Sequence, residues 1–402
     1  MSVEAVSGAL AGLKVLELGS LIAGPFCGQL MGDMGAEVIK IEPPGQGDPM
    51  RGWGRKSASG EALWWPVIAR NKKSITLDMR QAEGQALLRG LVTHAEFLIE
   101  NFRPGTMERW ECGWQELSTI NPRLIMIRVS GYGQDGPYAG RAGFGAIGEA
   151  MGGLRYIVGD PTTPPSRVGI SIGDSLAATH ACLGALAALH RRAQTGRGQI
   201  VDCAIYEAVL GMMESLVTEY DKAGVVRERS GAILPKIAPS NVYPTRDGEY
   251  VLIAGNQDNV FGRMVQSMGH PEWASDSRFK GHVARGENQA VLDDLISAWT
   301  RSRGRDEILS LMEKAGVPAG LIYTVPDMLK DEQFQAREAI VEVAHPRLGT
   351  VRMQNVVPKL SETPGSIRAP APTLGEHNTA VYGELLGLDS RALKELREKG
   401  VV

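Results

Sequence analysis

The chain has 402 residues, of which 43% are hydrophobic and 22% charged, and its formal net charge is -3. These values are typical of an ordinary globular protein with two or three domains and a large core. They give no reason to expect nucleic acid or an anionic membrane as a partner.

Cysteine usage and the chain start indicate the compartment. The four cysteines are scattered without a C-x-x-C pair: Cys27, Cys112, Cys182 and Cys203. We interpret them as buried small apolar side chains in a reducing compartment, not as a disulfide or zinc framework. The first residues lack the basic and apolar regions of a secretory signal, and the apolar run 175–189 is too short for a typical membrane span. We therefore expect a cytoplasmic protein.

The first half of the chain alternates between strand and helix patterns. Strands are predicted over residues 13–18, 37–42, 96–100, 124–129 and 199–204. Helices are predicted up to residue 35, over 82–94, from about 174 onwards, and through 220. This alternation indicates a parallel α/β sheet.

The composition changes over residues 222–240, which are rich in charge, Gly and Pro. Beyond them, residues 242–253 have the pattern of a hairpin that turns at Asp247-Gly248. Helical patterns follow at 260–268, 288–300 and 305–315, and strand patterns at 339–343 and 350–356. The Pro-rich segment 358–372 is predicted to be extended and to wrap over another domain or subunit.

The segment Gly169-Ile-Ser-Ile-Gly-Asp-Ser175 opens a long Ala-rich stretch. The carboxylate of Asp174 in this segment has two interpretations. It is a helix N-cap, which is common at such positions, or it is a nucleophile, because aspartate is an established covalent catalyst. The local sequence does not decide between them.

Several familiar motifs are missing. The turn Gly19–Pro25 lies where a Rossmann phosphate loop would lie, directly after the first strand, but its spacing is not G-x-G-x-x-G. The chain has no G-x-x-x-x-G-K-[ST] and no H-E-x-x-H. No metal ligand set is therefore expected.

Cations near glycines are frequent in the first third: Arg51, Arg70, Lys72, Lys73, Arg80, Arg103 and Arg109. Each is individually typical of a solvated surface, but together they suit a small ligand that carries phosphates. The run Asn101-Phe-Arg-Pro-Gly105 presents an amide, an aromatic face and a guanidinium after a strand. Its plainer reading is a loop into a helix started by Pro104.

A series of motifs in order along nearly the whole chain resembles the family III CoA-transferases. The matching segments are 18–25, 35–42, 47–51, 71–78, 100–105, 130–137, 173–174, 195–199 and 374–377. The resemblance implies an α/β fold with a Rossmann-like large domain, a smaller α+β domain and an interlocked homodimer. It divides the chain into a first large-domain part (1–221), a small domain (222–330) and a C-terminal return to the large domain (331–402).

The resemblance also implies a site. Coenzyme A enters as an acyl-CoA substrate, with no permanently bound cofactor and no metal. The implied CoA contacts are Leu21, Ile22, Leu77, Arg80, Asn101, Phe102, Arg103 and Arg109. A family arginine near the CoA phosphates corresponds to Pro43, so we expect that contact to be absent or supplied by another residue such as Arg51.

The same resemblance makes Asp174 the nucleophile, which forms an acyl-aspartyl anhydride and then an aspartyl-CoA thioester. Backbone N–H groups of residues 169–175 or nearby glycines would stabilise the oxyanions. For the acyl donor, family analogy favours a short dicarboxylic acid such as succinate. Residues 240–243 and 255–259 are expected to shape the acyl pocket. No arginine pair in them demands a dicarboxylate, and Arg155 and Lys236 are only weak candidates.

Three alternatives remain. An acyl-CoA racemase needs a base and an acid at the segment Gly143-Phe144-Gly145, which carries neither. Gly145 also departs from the acidic residue usual in transferases, and Glu149, expected on a helix surface, is a weak substitute. A non-catalytic CoA-binding protein and a CoA-ester hydrolase are the other two readings.

Overall fold

The computed structural model describes residues 8–402, which divide into two compact units. Unit 1 comprises residues 8–154, 168–224 and 333–402, and unit 2 comprises residues 155–167 and 225–332. The predicted boundaries after residues 221 and 330 lie within three residues of those observed. One segment differs, because residues 155–167 were predicted in the large domain and belong to unit 2.

A six-stranded sheet forms the centre of unit 1. Its strands are β1 (Lys14–Glu17), β2 (Glu37–Glu42), β3 (Lys72–Thr76), β4 (Phe97–Glu100), β5 (Ile125–Ser130) and β6 (Ile200–Ala204). They are all parallel and lie in the order β3-β2-β1-β4-β5-β6. This is the Rossmann strand order, in which ligands bind beyond the carboxyl ends of the strands near the β1–β4 reversal. The predicted α/β class with a parallel sheet is confirmed.

Short and long helices connect these strands. They are α1 (Ala23–Asp33), α2 (Trp65–Ile68), α3 (Ala82–Val92), α4 (Thr106–Arg109), α5 (Trp114–Ile120), α6 (Gly145–Met151), α7 (Leu154–Ile157), α8 (Ile172–Thr195), α9 (Ile205–Leu210) and α10 (Leu216–Ala223). A 3₁₀ turn covers Pro49–Gly52. The helix predicted from 205 to 220 is broken in two, with Glu214 in the left-handed region (φ 51°) between the halves.

Apolar residues on both faces explain why the strands form a buried parallel sheet. Leu16, Ile39, Leu98 and Ile127 are fully buried. Strand β3 was not predicted, because its first residues are two lysines and a serine. The Lys72 side chain is nevertheless buried, since its ammonium group pairs with the Glu17 carboxylate at 2.7 Å.

The C-terminal part of unit 1 returns to the sheet through a buried polar cluster. Arg70 forms an ion pair with Asp33 at 2.6 Å, and Asn71 donates to Asp33 and to the Ser366 carbonyl. The Asn71 side-chain oxygen accepts from the Arg368 and Ala369 N–H groups. Residues 366–369 are therefore fixed against the start of β3 in their own unit, while the predicted wrapping over another domain or subunit stays a prediction.

Unit 2 has a small antiparallel sheet and a helical layer of its own. Its strands are β7 (Ser240–Pro244), β8 (Tyr250–Ala254) and β9 (Ala319–Leu321), in that order. Its helices are α11 (Asp258–Ser267), α12 (His282–Glu287), α13 (Gln289–Arg301), α14 (Arg305–Lys314) and α15 (Val325–Lys330), with a 3₁₀ turn over Pro271–Ala274. The hairpin turns at Gly248 (φ 78°), as the sequence indicated, whereas β9 was not predicted.

The remaining elements are α16 (Glu332–Ala336), the hairpin β10 (Ile340–His345) and β11 (Gly349–Gln354), α17 (Asn378–Leu386) and α18 (Ser390–Glu398). Helix α17 is held to the sheet by Asn378, which exchanges hydrogen bonds with the Thr76 N–H and hydroxyl groups.

Helix α8 has 24 residues and is long and apolar enough to cross a membrane by length and composition. The sequence had predicted a shorter apolar segment. Core helices of soluble proteins have the same length and composition. The helix packs against α1, β5 and β6, while Leu183 and Leu186 on its outer face are exposed.

The cysteines form no disulfide with one another. Cys27 and Cys112 are buried as expected, but Cys182 and Cys203 are only half-buried.

Candidate functional site

A cavity of about 420 Å³ opens at the carboxyl ends of the first four strands in unit 1. It is lined by Leu18–Ser20 after β1, Lys40–Glu42 at the end of β2, Pro43–Pro44 and Gln46–Pro49 after it, Leu77–Arg80 after β3, and Phe102 and Trp110 after β4. This is the edge where open α/β sheets bind their ligands. Of the predicted CoA contacts, the structure brings Leu77, Arg80 and Phe102 together here.

The turn after β1 is held in place by three side chains from other segments. The Asn101 amide accepts from the Ser20 N–H at 2.8 Å and donates to the Ser20 carbonyl at 2.9 Å. Lys40 donates to the Gly19 carbonyl at 2.8 Å, and the Leu21 N–H donates to the Asp48 carboxylate at 3.0 Å. Leu21 is thereby kept in the left-handed region (φ 64°), which costs energy for a residue with a side chain.

A buried ion network lies beneath this turn. The Lys40 ammonium group contacts Glu17 at 3.0 Å and Asp48 at 2.8 Å, and all three side chains are almost completely buried. Burial alone would lower the pKa of Lys40, but the carboxylates of Glu17, Asp48 and Glu42 outweigh it and raise that pKa. Burial would raise the pKa of Asp48, and Lys40 holds it below its usual value instead. Lys40 and Asp48 are therefore each held in the charged form. Sequence patterns had not indicated either of them as a site residue.

Arg51 is engaged with the protein. Its guanidinium group pairs with both oxygens of Glu42 at 2.7 Å, donates to the Pro372 carbonyl and lies over the Trp65 ring at 3.9 Å. Pro43, at the position of the family arginine, lines the cavity. The suggestion that Arg51 replaces that arginine at the phosphates stays a prediction, since the observed partners are structural.

Three other predicted cations lie near the cavity or on its outer loops. The Arg80 side chain is 80% exposed and pairs with Asp78, whose pKa it lowers to about 2. Arg103 and Arg109 are exposed on the loop and short helix after β4, and Arg109 donates to the Thr106 hydroxyl group at 2.9 Å. Exposed guanidinium groups of this kind suit phosphates that remain in contact with water.

The aromatic and apolar predicted residues have different surroundings. Phe102 packs edge-to-face on Trp110 with ring centroids 5.2 Å apart, so it forms an aromatic wall of the cavity. Ile22 is buried before α1 in a small cluster with Met50, Trp65 and Ile68. Ile22 therefore supports the turn from below and does not line the cavity.

Asp174 is the third residue of α8, and Ser171 is the N-cap residue. The capping interpretation in its simple form is therefore wrong, although Asp174 lies in the first turn, where the helix dipole favours a negative charge. A carboxylate oxygen of Asp174 lies so close to Gly145 that a Cβ atom there would be only 2.1 Å away. Asp174 is half-buried as a residue, and the cavity described above does not include it.

Glu149 is completely buried, which contradicts its predicted position on a helix surface. Its carboxylate accepts from the Gly173 N–H at 3.3 Å, directly beside Asp174. The Ser175 N–H donates to the Ser171 carbonyl. Two of the N–H groups expected to stabilise oxyanions, those of Gly173 and Ser175, are thus already engaged inside the protein.

The acyl-pocket residues predicted in unit 2 pack largely into that unit itself. Tyr243 is fully buried and donates to the Asp293 carboxylate at 2.5 Å, and Asn241 donates to the same group at 3.0 Å. Asp258 pairs with the buried Arg285 at 2.6 Å. The Lys236 N–H donates to Gln289. Part of the segments predicted to shape the acyl pocket therefore makes contacts inside unit 2.

Comparison with known proteins gives matches over nearly the whole chain. The profile of "CoA-transferase family III" matches residues 10–378. The succinyl-CoA–D-citramalate CoA-transferase of Chloroflexus aurantiacus is 58% identical over 390 residues, 97% of each chain. The beta subunit of the succinyl-CoA–L-malate CoA-transferase of the same organism is 41% identical over 98% of each chain.

A solved structure agrees with these matches. The crystal structure of a CaiB/BaiF family protein from Brucella suis superposes with a TM-score of 0.82 and 35% sequence identity. The match covers 94% of this chain and all of that one.

Proposed function

The chain belongs to CoA-transferase family III, and we propose that it moves CoA from succinyl-CoA to a short dicarboxylic acid through Asp174. The observation that carries the substrate class is the 58% identity, over 97% of both chains, to a succinyl-CoA–D-citramalate CoA-transferase. A hydroxylated C4 or C5 dicarboxylate is the acceptor class that this similarity favours.

The cavity at the ends of β1 to β4 supports the binding of the CoA moiety. Its walls combine an apolar face formed by Leu77, Phe102 and Trp110 with the exposed Arg80 at its rim. We assign the pantetheine arm to the apolar face, where little desolvation is required. The phosphates are assigned to Arg80, Arg103 and Arg109, whose guanidinium groups form charge-assisted hydrogen bonds.

The proposed chemistry needs no metal or ATP, because the thioester energy is retained in each intermediate. The Asp174 carboxylate attacks the succinyl-CoA carbonyl, and the thiolate of CoA leaves as a succinyl-aspartyl anhydride forms. The thiolate then attacks the aspartyl carbonyl, which releases succinate and leaves an aspartyl-CoA thioester.

The second half of the transfer cycle reverses these two steps with the acceptor acid in place of succinate. The acceptor carboxylate attacks the aspartyl thioester, CoA thiolate leaves, and an acceptor-aspartyl anhydride results. The thiolate attacks the acceptor carbonyl, which gives the new acyl-CoA and restores the Asp174 carboxylate. No net proton is taken up or released in the cycle.

Two features of the site favour this reaction. Asp174 lies in the first turn of a 24-residue helix, where the helix dipole stabilises the ionised and therefore nucleophilic form. Phe144 and Gly145 carry no titratable group, so the base and acid required for α-proton exchange are missing at the racemase position. Transfer is therefore favoured over epimerisation.

We further propose a cytoplasmic homodimer. Apolar side chains exposed on α8 and α10, among them Leu183, Val217 and Tyr220, support a second copy as the partner that covers them. A mass measurement in solution tests this assembly, and a monomer at micromolar concentration would contradict it.

The function is tested by an assay of the protein with succinyl-CoA and a panel of free acids, with products read by mass spectrometry. Asp174→Ala and Asp174→Asn are expected to lose at least about 10³-fold in exchange rate, since no covalent intermediate can form. Hydroxylamine added during turnover is expected to convert Asp174 to a hydroxamate. Release of CoA without an acceptor acid would indicate a hydrolase. CoA binding without turnover in the wild type as well as in both Asp174 variants would indicate a non-catalytic protein.

A further inference from the structure

Helices α6 and α8 approach each other closely at two glycines. A Cβ atom at Gly173 would lie 3.0 Å from both the Gly145 carbonyl oxygen and the Glu149 side chain, and one at Gly145 would lie 2.1 Å from the Asp174 carboxylate. Gly148 packs instead on α9, where a Cβ atom would lie 2.5 Å from Ile205. The α6 and α8 backbones therefore meet directly beside Asp174.

Glu149 is the charged residue that this contact buries. Residues 145 and 149 are one helical turn apart and so share one face of α6. Along that face Gly145 lies against the Asp174 carboxylate, and Glu149 accepts from the Gly173 N–H at 3.3 Å. Gly173 and Asp174, which are consecutive in α8, are thus contacted by residues one turn apart in α6.

On this geometry, and resting on the proposed function, we propose that Glu149 is a positioning residue for the nucleophile. Its carboxylate holds the Gly173 N–H and so fixes the first turn of α8, which keeps the Asp174 carboxylate against Gly145. The catalytic residue is Asp174, and Glu149 acts on the reaction only through it.

The free-energy cost of burying the Glu149 side chain supports a specific role for it. Burying a carboxylate is expensive unless hydrogen bonds compensate it, and an apolar residue would pack a helix contact more cheaply. The first N–H groups of a helix have no partner within the helix. Glu149 supplies one for Gly173, which no side-chain cap from Ser171 provides.

The test compares Glu149→Ala with Glu149→Gln. The alanine variant lacks an acceptor for the Gly173 N–H, and kcat is expected to fall 30- to 100-fold. The KM for succinyl-CoA is expected to change by less than about twofold, because the cavity assigned to CoA does not include Glu149. The glutamine variant keeps an acceptor oxygen of nearly the same reach and is expected to recover kcat at least tenfold over alanine. Met151→Ala, on an exposed side chain of the same helix, is the matched control.

Crystal structures of both variants read the position of Asp174 independently of turnover. The proposal predicts that the carboxylate leaves Gly145 in Glu149→Ala and stays in Glu149→Gln. It is overturned if the carboxylate does not move in Glu149→Ala, or if both variants keep full kcat. Equal losses of kcat and succinyl-CoA affinity in Glu149→Ala would also overturn it. An inactive wild-type protein would instead refute the proposed function, and the structures would still decide the role of Glu149.

Discussion

The Asp174 carboxylate occupies the space in which residue 145 would carry a side chain. A Cβ atom at Gly145 would lie 2.1 Å from one carboxylate oxygen and 2.6 Å from the carboxyl carbon. These distances are far below van der Waals contact, so the position of the carboxylate depends on glycine at 145. Any side chain larger than hydrogen at residue 145 would therefore displace the carboxylate or the helix that carries it.

Gly145→Ala is expected to displace the Asp174 carboxylate, because the added methyl group and a carboxylate oxygen cannot both occupy that space. We expect kcat to fall at least about 100-fold, since a displacement of about 1 Å can cost that much, while CoA binding stays within about threefold. Steady-state kinetics and calorimetric CoA binding measure the two effects. Gly140→Ala is the control, because nothing lies within 4 Å of its Cβ position. Full activity of Gly145→Ala would contradict the geometry.

Asn101→Ala is expected to loosen the turn that lines the cavity at the ends of β1 to β4, because it removes both hydrogen bonds to Ser20. We predict a KM for succinyl-CoA about 10-fold higher, which corresponds to the loss of one to two net hydrogen bonds. Asn121→Ala removes a comparable pair of bonds, to the Val92 and Ala95 carbonyls. It should lower stability without changing KM. Equal KM values in the two variants would refute this role for Asn101.

Asp48→Asn is expected to destabilise the fold and change its pH dependence. The amide leaves the buried Lys40 with one carboxylate fewer, at a cost of about 3 kcal/mol in free energy of unfolding. The folded-state pKa of Asp48 is lowered, so its ionised form stabilises the protein above about pH 4. That contribution is lost as the pH falls through the folded-state pKa.

Urea unfolding at pH 7 and between pH 5 and 3 tests both parts. The variant should lose less stability than the wild type over the acidic range, because one titrating carboxylate is gone. Asp221→Asn, in an ion pair between exposed side chains, should differ from the wild type by less than about 0.5 kcal/mol. A similarly small effect of Asp48→Asn would show that the network adds no net stability.

Arg80→Ala is expected to weaken succinyl-CoA binding through the loss of a cation at the cavity rim. We predict a KM about 5- to 10-fold higher and a weaker dependence of KM on salt, since exposed charge interactions are screened. Kinetics at 20 and 300 mM salt, where the Debye length is about 22 and about 6 Å, measure this. Arg391→Ala removes a comparably exposed arginine that pairs with Glu395 and should leave KM unchanged. An unaltered KM in Arg80→Ala would exclude it from the phosphate site.

The sequence by itself determined the parallel α/β class. Runs such as Val38-Ile-Lys-Ile41 and Ile125-Met-Ile127 are apolar on both faces, and such strands are stable only inside a covered sheet. Strand β3 was not predicted, because Lys72 and Lys73 are residue types typical of an exposed segment. Only the fold shows that Glu17, 55 residues earlier, pairs with Lys72 inside the protein.

In the candidate site, too, some residues could be identified from the sequence and others only from the fold. Asp174 was identified by its setting between Gly173 and Ser175 and by the series of motifs around it, all of which are local in the chain. The contacts of Lys40, Asp48 and Glu149 were decided by the tertiary structure, because each forms a hydrogen bond with a backbone group distant in sequence: Gly19, Leu21 and Gly173. A buried charge looks like a surface charge in a sequence, since burial depends on what other segments bring to it.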